Sequence, residues 1–178
     1  GASIEDEVIG VAERLSRSAD LRLQCAPAAV RISPAWLRPA VGELVGRELF
    51  IFDSFEGLPG SSPLDRRAKG YAKGDFAGSL DEVSNNIRKA GVIKSCHFVR
   101  GWFDRTLPLF DPEIVLAYVD VDLEASLDVC IKNLWPRLSE RGFIFIDECT
   151  STDYCALFYS ERWWKENFGC TPPGLLGA

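Results

Sequence analysis

Ile4, Val8, Val11, Ala12 and Leu15 recur at three- and four-residue intervals, and predict an amphipathic helix over residues 3–17. Residues 35–45 predict another, despite Pro39, with Pro34 suited to its first turn. Glu48-Leu49-Phe50-Ile51-Phe52-Asp53 is a short apolar run closing on an acid, the pattern of a buried strand. Residues 54–78 are rich in glycine, proline and serine, and predict a long loop of the kind that often carries function. Ser79-Leu80-Asp81-Glu82 is a capping box opening a helix that ends near Gly91. Cys96–Arg100 and Ile114–Asp120 read as strands. Ser126–Leu138 reads as a helix stopped by Pro136 and Gly142, and Phe143–Asp147 as a further strand. Residues 152–168 read as an aromatic-rich helix.

Strands alternating with helices predict an α/β fold, a mostly parallel sheet with helices on both faces. No internal repeat or linker divides the chain, so residues 1–178 are expected to form a single domain. Hydrophobic residues make up 47% and charged residues 26%, which excludes disorder and coiled coil. No apolar run is long enough to span a bilayer, and no basic-then-apolar leader opens the chain; a cytoplasmic protein is expected, with no membrane partner. The net charge of −6 argues against a nucleic-acid partner.

Six cysteines (25, 96, 130, 149, 155, 170) form no C-x-x-C pair, and His97 is the single histidine. Structural zinc is therefore disfavoured, and most of these cysteines read as small hydrophobes in a reducing compartment. His97, inside a strand, reads as a core or sheet-face residue ahead of a catalytic base. Trp163 and Trp164 read as packing ahead of a substrate lid.

Candidate chemistry lies at the strand ends. Asp53, Asp120 and Asp147 each close a strand, and open parallel sheets bind ligands at the carboxyl ends of their strands. Asp53 stands where ribose hydroxyls are held in nucleotide-type folds, although no G-x-G-x-x-G precedes it. Asp120-Val121-Asp122 and Asp147-Glu148 offer an all-oxygen environment suited to a hard divalent cation such as Mg²⁺. Capping of the following turns is the competing account of these acids.

Phe52-Asp53-Ser54-Phe55-Glu56-Gly57-Leu58-Pro59 resembles the D-S-F-E/Q-G-L/I-P signature of the macrocin O-methyltransferase family. Gly101-Trp102-Phe103-Asp104-Arg105-Thr106-Leu107-Pro108 resembles that family's G-W-F-x-x-T-L-P. Asp120–Leu123, Leu134–Ser139 and Gly142–Glu148 resemble its D-x-D-L, L-Y/W-P-R-L-S and G-G-F-I-I-D-D segments, in order. The resemblance covers roughly residues 45–150. It implies a Rossmann-like class I methyltransferase that uses S-adenosylmethionine and Mg²⁺ to methylate a hydroxyl of a small molecule, a sugar-containing secondary metabolite, with homodimers as the family's habit. It further implies cofactor binding by Asp53, Ser54, Gly101 and Trp102, metal binding by Asp120, Asp147 and Glu148, and a base role for Asp120.

Three departures stand out. The closing acid pair is Asp-Glu where the family has Asp-Asp, Glu124-Ala125-Ser126 replaces Tyr-x-Ser, and Cys149 replaces an aromatic residue. Upstream, residues 24–34 contain no glycine where the family's first strand and glycine-rich loop belong. Together with the absence of methionine, this predicts an interruption of the chain within residues 20–36, and the family's final strand pair is expected to be missing as well. Two other functions are weighed: a glycosyltransferase using Asp120-Val121-Asp122 to hold Mn²⁺ and a sugar nucleotide, and a non-catalytic cofactor-binding relative.

Overall fold

A computed structural model describes residues 48–65, 70–90, 94, 96–146 and 152–174. The expected helices at 3–17 and 35–45, the interruption within 20–36, and the residues Asp147, Glu148 and Cys149 lie outside the described residues. The described residues gather into two compact units, 48–57 with 76–101, and 58–75 with 102 onward.

In the first unit, strand β1 (Leu49–Asp53) runs parallel to β2 (Cys96–Arg100), in register from Leu49 opposite Cys96 to Asp53 opposite Arg100. Parallel neighbours need a crossover, and helix α1 (Leu80–Ala90) lies in that connection. The capping box forms as expected. The Glu82 N–H donates to Ser79 Oγ at 3.2 Å, and the Ser79 N–H donates to Glu82 Oε2 at 3.3 Å. Asp81 and Glu82 in the first turn and Arg88 and Lys89 in the last both suit the helix dipole. Ile87 is buried. His97 is a sheet-face residue, stacked on Phe50 with ring centroids 4.8 Å apart and its Nε2 3.3 Å from Glu48 Oε1.

The second unit opens with helix α2 (Phe103–Thr106) and a 3-10 turn (Leu107–Leu109), then β3 (Ile114–Val119). Helix α3 (Glu124–Leu134) follows and tightens into a 3-10 turn over Trp135–Arg137, where Pro136 withholds an N–H from the helical ladder. β4 runs from Leu138 to Ile146, five residues longer at its start than expected. It pairs parallel to β3, but the register jumps from Ile114–Leu138 to Leu116–Phe143. The polar Glu140-Arg141-Gly142 stretch, which lies between the expected helix and strand, is this irregularity inside β4. Gly142 permits it: a Cβ there would stand 2.8 Å from Leu138 Cδ1 and 2.9 Å from Ser139 Oγ.

The expected helix over 152–168 is three pieces: α4 (Thr152–Cys155), a 3-10 turn (Ala156–Tyr159) and α5 (Glu161–Phe168). Ser160 makes the break, because it is extended and its Oγ caps α5 by accepting the Trp163 N–H. Gly169, in the left-handed region at φ +70°, ends α5. Leu127 and Ile131 of α3 and Trp164 of α5 are completely buried, and they centre the core of this unit. Trp164 meets Trp135 edge-on at 4.8 Å and donates its indole N–H to the Leu157 carbonyl at 3.0 Å. The Trp163 indole N–H donates to Asp128 Oδ1 at 2.7 Å. Both tryptophans therefore pack, as expected. Cys130 and Cys155 are buried and Cys96 is half-buried, whereas Cys170 is exposed. No helix among the described residues is long and apolar enough to cross a membrane.

Candidate active site

Asp53 is the last residue of β1 and is buried. Its Oδ1 accepts the Phe55 N–H at 2.6 Å, closing a turn over Ser54. Ser54 repeats the device one residue on: its Oγ accepts the Glu56 N–H and donates to the Gly57 carbonyl, both at 3.1 Å. These side-chain turns hold Phe55 at φ +58°, costly for a residue with a Cβ, and they lead into Gly57 at φ +86°. Burial pushes the Asp53 carboxyl above its ordinary value, against the lowering pull of the Phe55 N–H and of Ser54.

Gly101, directly after β2, donates its N–H to the Asp53 carbonyl at 2.8 Å. Its φ of +143° is open to glycine and strained for other residues. The D-S-F and G-W-F segments, nearly fifty residues apart in the chain, thus meet through a backbone bond at one sheet edge. Near the end of this ladder, the exposed Arg100 guanidinium and Glu56 carboxylate stand 3.7 Å apart.

In the second unit, half-buried Trp102 is the N-cap residue of α2. Its carbonyl accepts from the Arg105 N–H, the Thr106 N–H and Thr106 Oγ1. Asp120 follows β3 directly and is 2% exposed. Between it and α3 the backbone turns sharply. The Leu123 N–H donates to the Val121 carbonyl across Asp122, which sits at φ +53°. Val121 and Leu123 are buried on either side, so packing fixes this turn.

Of the three expected metal ligands, Asp120 is described and Asp147 and Glu148 are not. β3 and β4 are paired to their last residues, Val119 opposite Ile146. Asp120 comes next after the first, and Ile146 is the last described residue before the acid pair. Among the described residues no three His, Cys, Asp or Glu side chains gather as a metal site. A buried carboxylate at a strand's end is nonetheless the hard oxygen donor that Mg²⁺ takes.

Sequence reasoning missed Asp65. It is 9% exposed, and its two carboxylate oxygens accept from different segments. Oδ2 takes the Ser62 N–H, within a turn whose Asp65 N–H returns to the Ser62 carbonyl at 3.0 Å. Oδ1 takes the Ala125 N–H at 2.9 Å, in the first turn of α3. Ser62-Pro63-Leu64-Asp65 carries a local turn signal, with proline at its second position. Nothing local reveals a partner 60 residues away.

The model of the family described as Macrocin-O-methyltransferase (TylF) matches residues 37–170. The 8-demethyl-8-(2,3-dimethoxy-alpha-L-rhamnosyl)-tetracenomycin-C 4'-O-methyltransferase of Streptomyces olivaceus is 34% identical over 109 residues, 57% of this chain and 42% of that protein. The demethyldecarbamoylnovobiocin O-methyltransferase of Streptomyces niveus is 30% identical over 115 residues, with the same coverage of 57% and 42%. The chain thus spans about two fifths of the length of these relatives. Among solved structures, the O-methyltransferase NovP aligns with a TM-score of 0.51 at 26% identity, over 64% of this chain and 51% of its own. The calicheamicin methyltransferase CalS11 aligns with a TM-score of 0.58 over 98% of this chain and 74% of its own, and at 18% identity that likeness is one of fold. The fold is accordingly the Rossmann-like α/β fold of these methyltransferases, and the chain belongs to the macrocin O-methyltransferase family.

Proposed function

We infer that the protein is an O-methyltransferase that moves a methyl group from S-adenosylmethionine to a hydroxyl of a small, sugar-containing secondary metabolite, with the help of a divalent cation. The reading is carried by the junction of Asp53 with Gly101, which joins two family motifs at the carboxyl end of a parallel ladder. The relatives' names add support, since one names a rhamnosyl-tetracenomycin C and the other demethyldecarbamoylnovobiocin as the molecule methylated.

Asp53, Ser54, Gly101 and Trp102 are the residues assigned to the cofactor. The Asp53 carboxylate suits the ribose diol, and glycine at 101 lets a ligand approach the backbone closely. Asp120, Asp147 and Glu148 are assigned to the cation. When bound, S-adenosylmethionine supplies an electrophilic methyl group and the cation polarises the acceptor hydroxyl. Asp120 accepts the hydroxyl proton, and its burial and fixed turn keep it oriented for that transfer. Much of the rate enhancement would come from holding oxygen and carbon at near-attack distance.

Calorimetry of the purified protein with S-adenosylhomocysteine tests the reading. Saturable binding, lost in Asp53→Ala, is expected. A protein that binds a sugar nucleotide and ignores S-adenosylhomocysteine would be a glycosyltransferase instead.

A further inference from the structure

We propose that Asp65 is a positioning residue for the Asp120-Val121-Asp122 turn, a cap supplied from a distant loop that sets the entry to α3. The inference rests on reading Asp120 as the reacting-site carboxylate.

Helix α3 begins without a cap of its own. Its N-cap residue is Leu123, which has no side-chain oxygen to offer the first-turn N–H groups. Leu123 is also 1% exposed, so that position is committed to the core. A helix that follows a functional turn needs a fixed start, because any fraying of its first turn moves the residues before it. Asp65 Oδ1 accepts the N–H of Ala125, the second helical residue, which is what an N-cap aspartate would do. Its negative charge lies at the positive end of the helix dipole.

The other oxygen makes this more than a cap. Oδ2 accepts the Ser62 N–H, so one carboxylate bridges the loop and the helix. The loop is closed independently upstream, where the Leu58 N–H donates to the Asp75 carbonyl and the Gly74 N–H to the Leu58 carbonyl, each at 2.9 Å. A segment tied at 58, 74 and 75 and pinned at 65 holds α3 against a fixed frame. The strained residue between Asp120 and that helix is Asp122 at φ +53°. Such a conformation persists only when its surroundings over-determine it, and the Asp65 bridge anchors the chain three residues further on.

Hydrogen exchange followed by mass spectrometry on the full protein tests this, with Mn²⁺ binding as the functional readout. In Asp65→Ala, exchange should rise tenfold or more in peptides covering 58–65 and 121–127 together, and stay unchanged over 80–90 and 96–100. Mn²⁺ affinity should fall at least tenfold, with S-adenosylhomocysteine affinity kept. Asp65→Asn retains one acceptor, so it should restore protection over 121–127 and most of the Mn²⁺ affinity while the loop stays loosened. If Asp65→Ala fails to fold, the asparagine variant decides alone: protection kept over 80–90 and 96–100 but lost over 121–127, with Mn²⁺ affinity undiminished, overturns the proposal. Loosening confined to 58–65, or undiminished Mn²⁺ affinity in a folded Asp65→Ala, also overturns it. A wild type that binds no Mn²⁺ removes the metal from the proposed function, and the exchange pattern then still decides whether Asp65 sets the turn.

Discussion

The Gly101 N–H donates to the Asp53 carbonyl at 2.8 Å, one residue past the point where Asp53 and Arg100 stand opposite each other in the ladder. This bond fixes the Asp53 backbone from the neighbouring strand, while the Phe55 N–H fixes its carboxylate from the residues that follow. An acid held at both ends is pre-organised to accept hydrogen bonds from a ligand.

Asp53→Ala should therefore weaken S-adenosylhomocysteine binding and leave the fold standing. Hydrogen bonds to a charged acceptor contribute about 1.5–3 kcal/mol, so the loss should be roughly 10- to 100-fold in affinity. The thermal midpoint should change little, because the variant loses the Phe55 bond but also sheds a buried carboxylate. Calorimetry and circular dichroism measure the two quantities, and unchanged affinity would detach Asp53 from the cofactor.

The same residue sets a pH dependence. Burial raises the Asp53 carboxyl above its ordinary 3.8. The folded protein therefore takes up this proton at a pH where the unfolded chain has already released it. Its contribution to stability is fully present below 3.8 and is lost as pH rises through the raised value. Ligand binding runs the opposite way, since the ribose diol needs the anionic acceptor. Affinity for S-adenosylhomocysteine should fall on acidification, with a midpoint above the ordinary carboxylate value. Asp53→Asn should bind more weakly at neutral pH and lack that midpoint. Wild-type affinity that is flat into the acid range would show that the carboxylate is not the acceptor.

Elements whose signals are local were legible in the chain. The Ser79 and Glu82 box announced α1, and the apolar runs at 49–53, 96–100 and 114–119 announced strands to within a residue. What escaped was set by contacts between distant segments. α3 starts at Glu124, two residues before its periodic face suggests, because its cap comes from Asp65 and not from Leu123. β4 extends back to Leu138 across a charged, glycine-containing irregularity, because Ile114 at the start of β3 pairs with Leu138. For the candidate site, the motifs named Asp53, Gly101 and Asp120, but only the folded chain shows Gly101 bonded to Asp53.

Gly142 makes the β4 irregularity testable. A Cβ at this position would press on Leu138 Cδ1 and Cγ at 2.8 and 2.9 Å and on Ser139 Oγ at 2.9 Å. Gly142→Ala should destabilise the protein by about 1–3 kcal/mol, the usual range for overpacking. Chemical denaturation with an unchanged slope should report it as a lower midpoint. A neutral result would mean that the Leu138 side chain swings clear at no cost.

The cation should announce itself as stability. β3 and β4 are paired up to Val119 and Ile146, and Asp120 next to that end is 2% exposed. A cation that binds only the folded state stabilises it by mass action. Saturation at a hundred times the dissociation constant stabilises by about 2.7 kcal/mol, which for a chain of this size is a shift of roughly 5–10 °C in thermal midpoint. Mg²⁺ should produce that shift and EDTA should reverse it. Asp120→Asn should abolish it, since a neutral amide is a poor ligand for a hard cation. Glu148→Asp should retain it, because a carboxylate shorter by one methylene restores the family's acid pair. If Asp120→Asn still gained the full shift, the cation would bind elsewhere, and Asp120 would be left as a base acting without it.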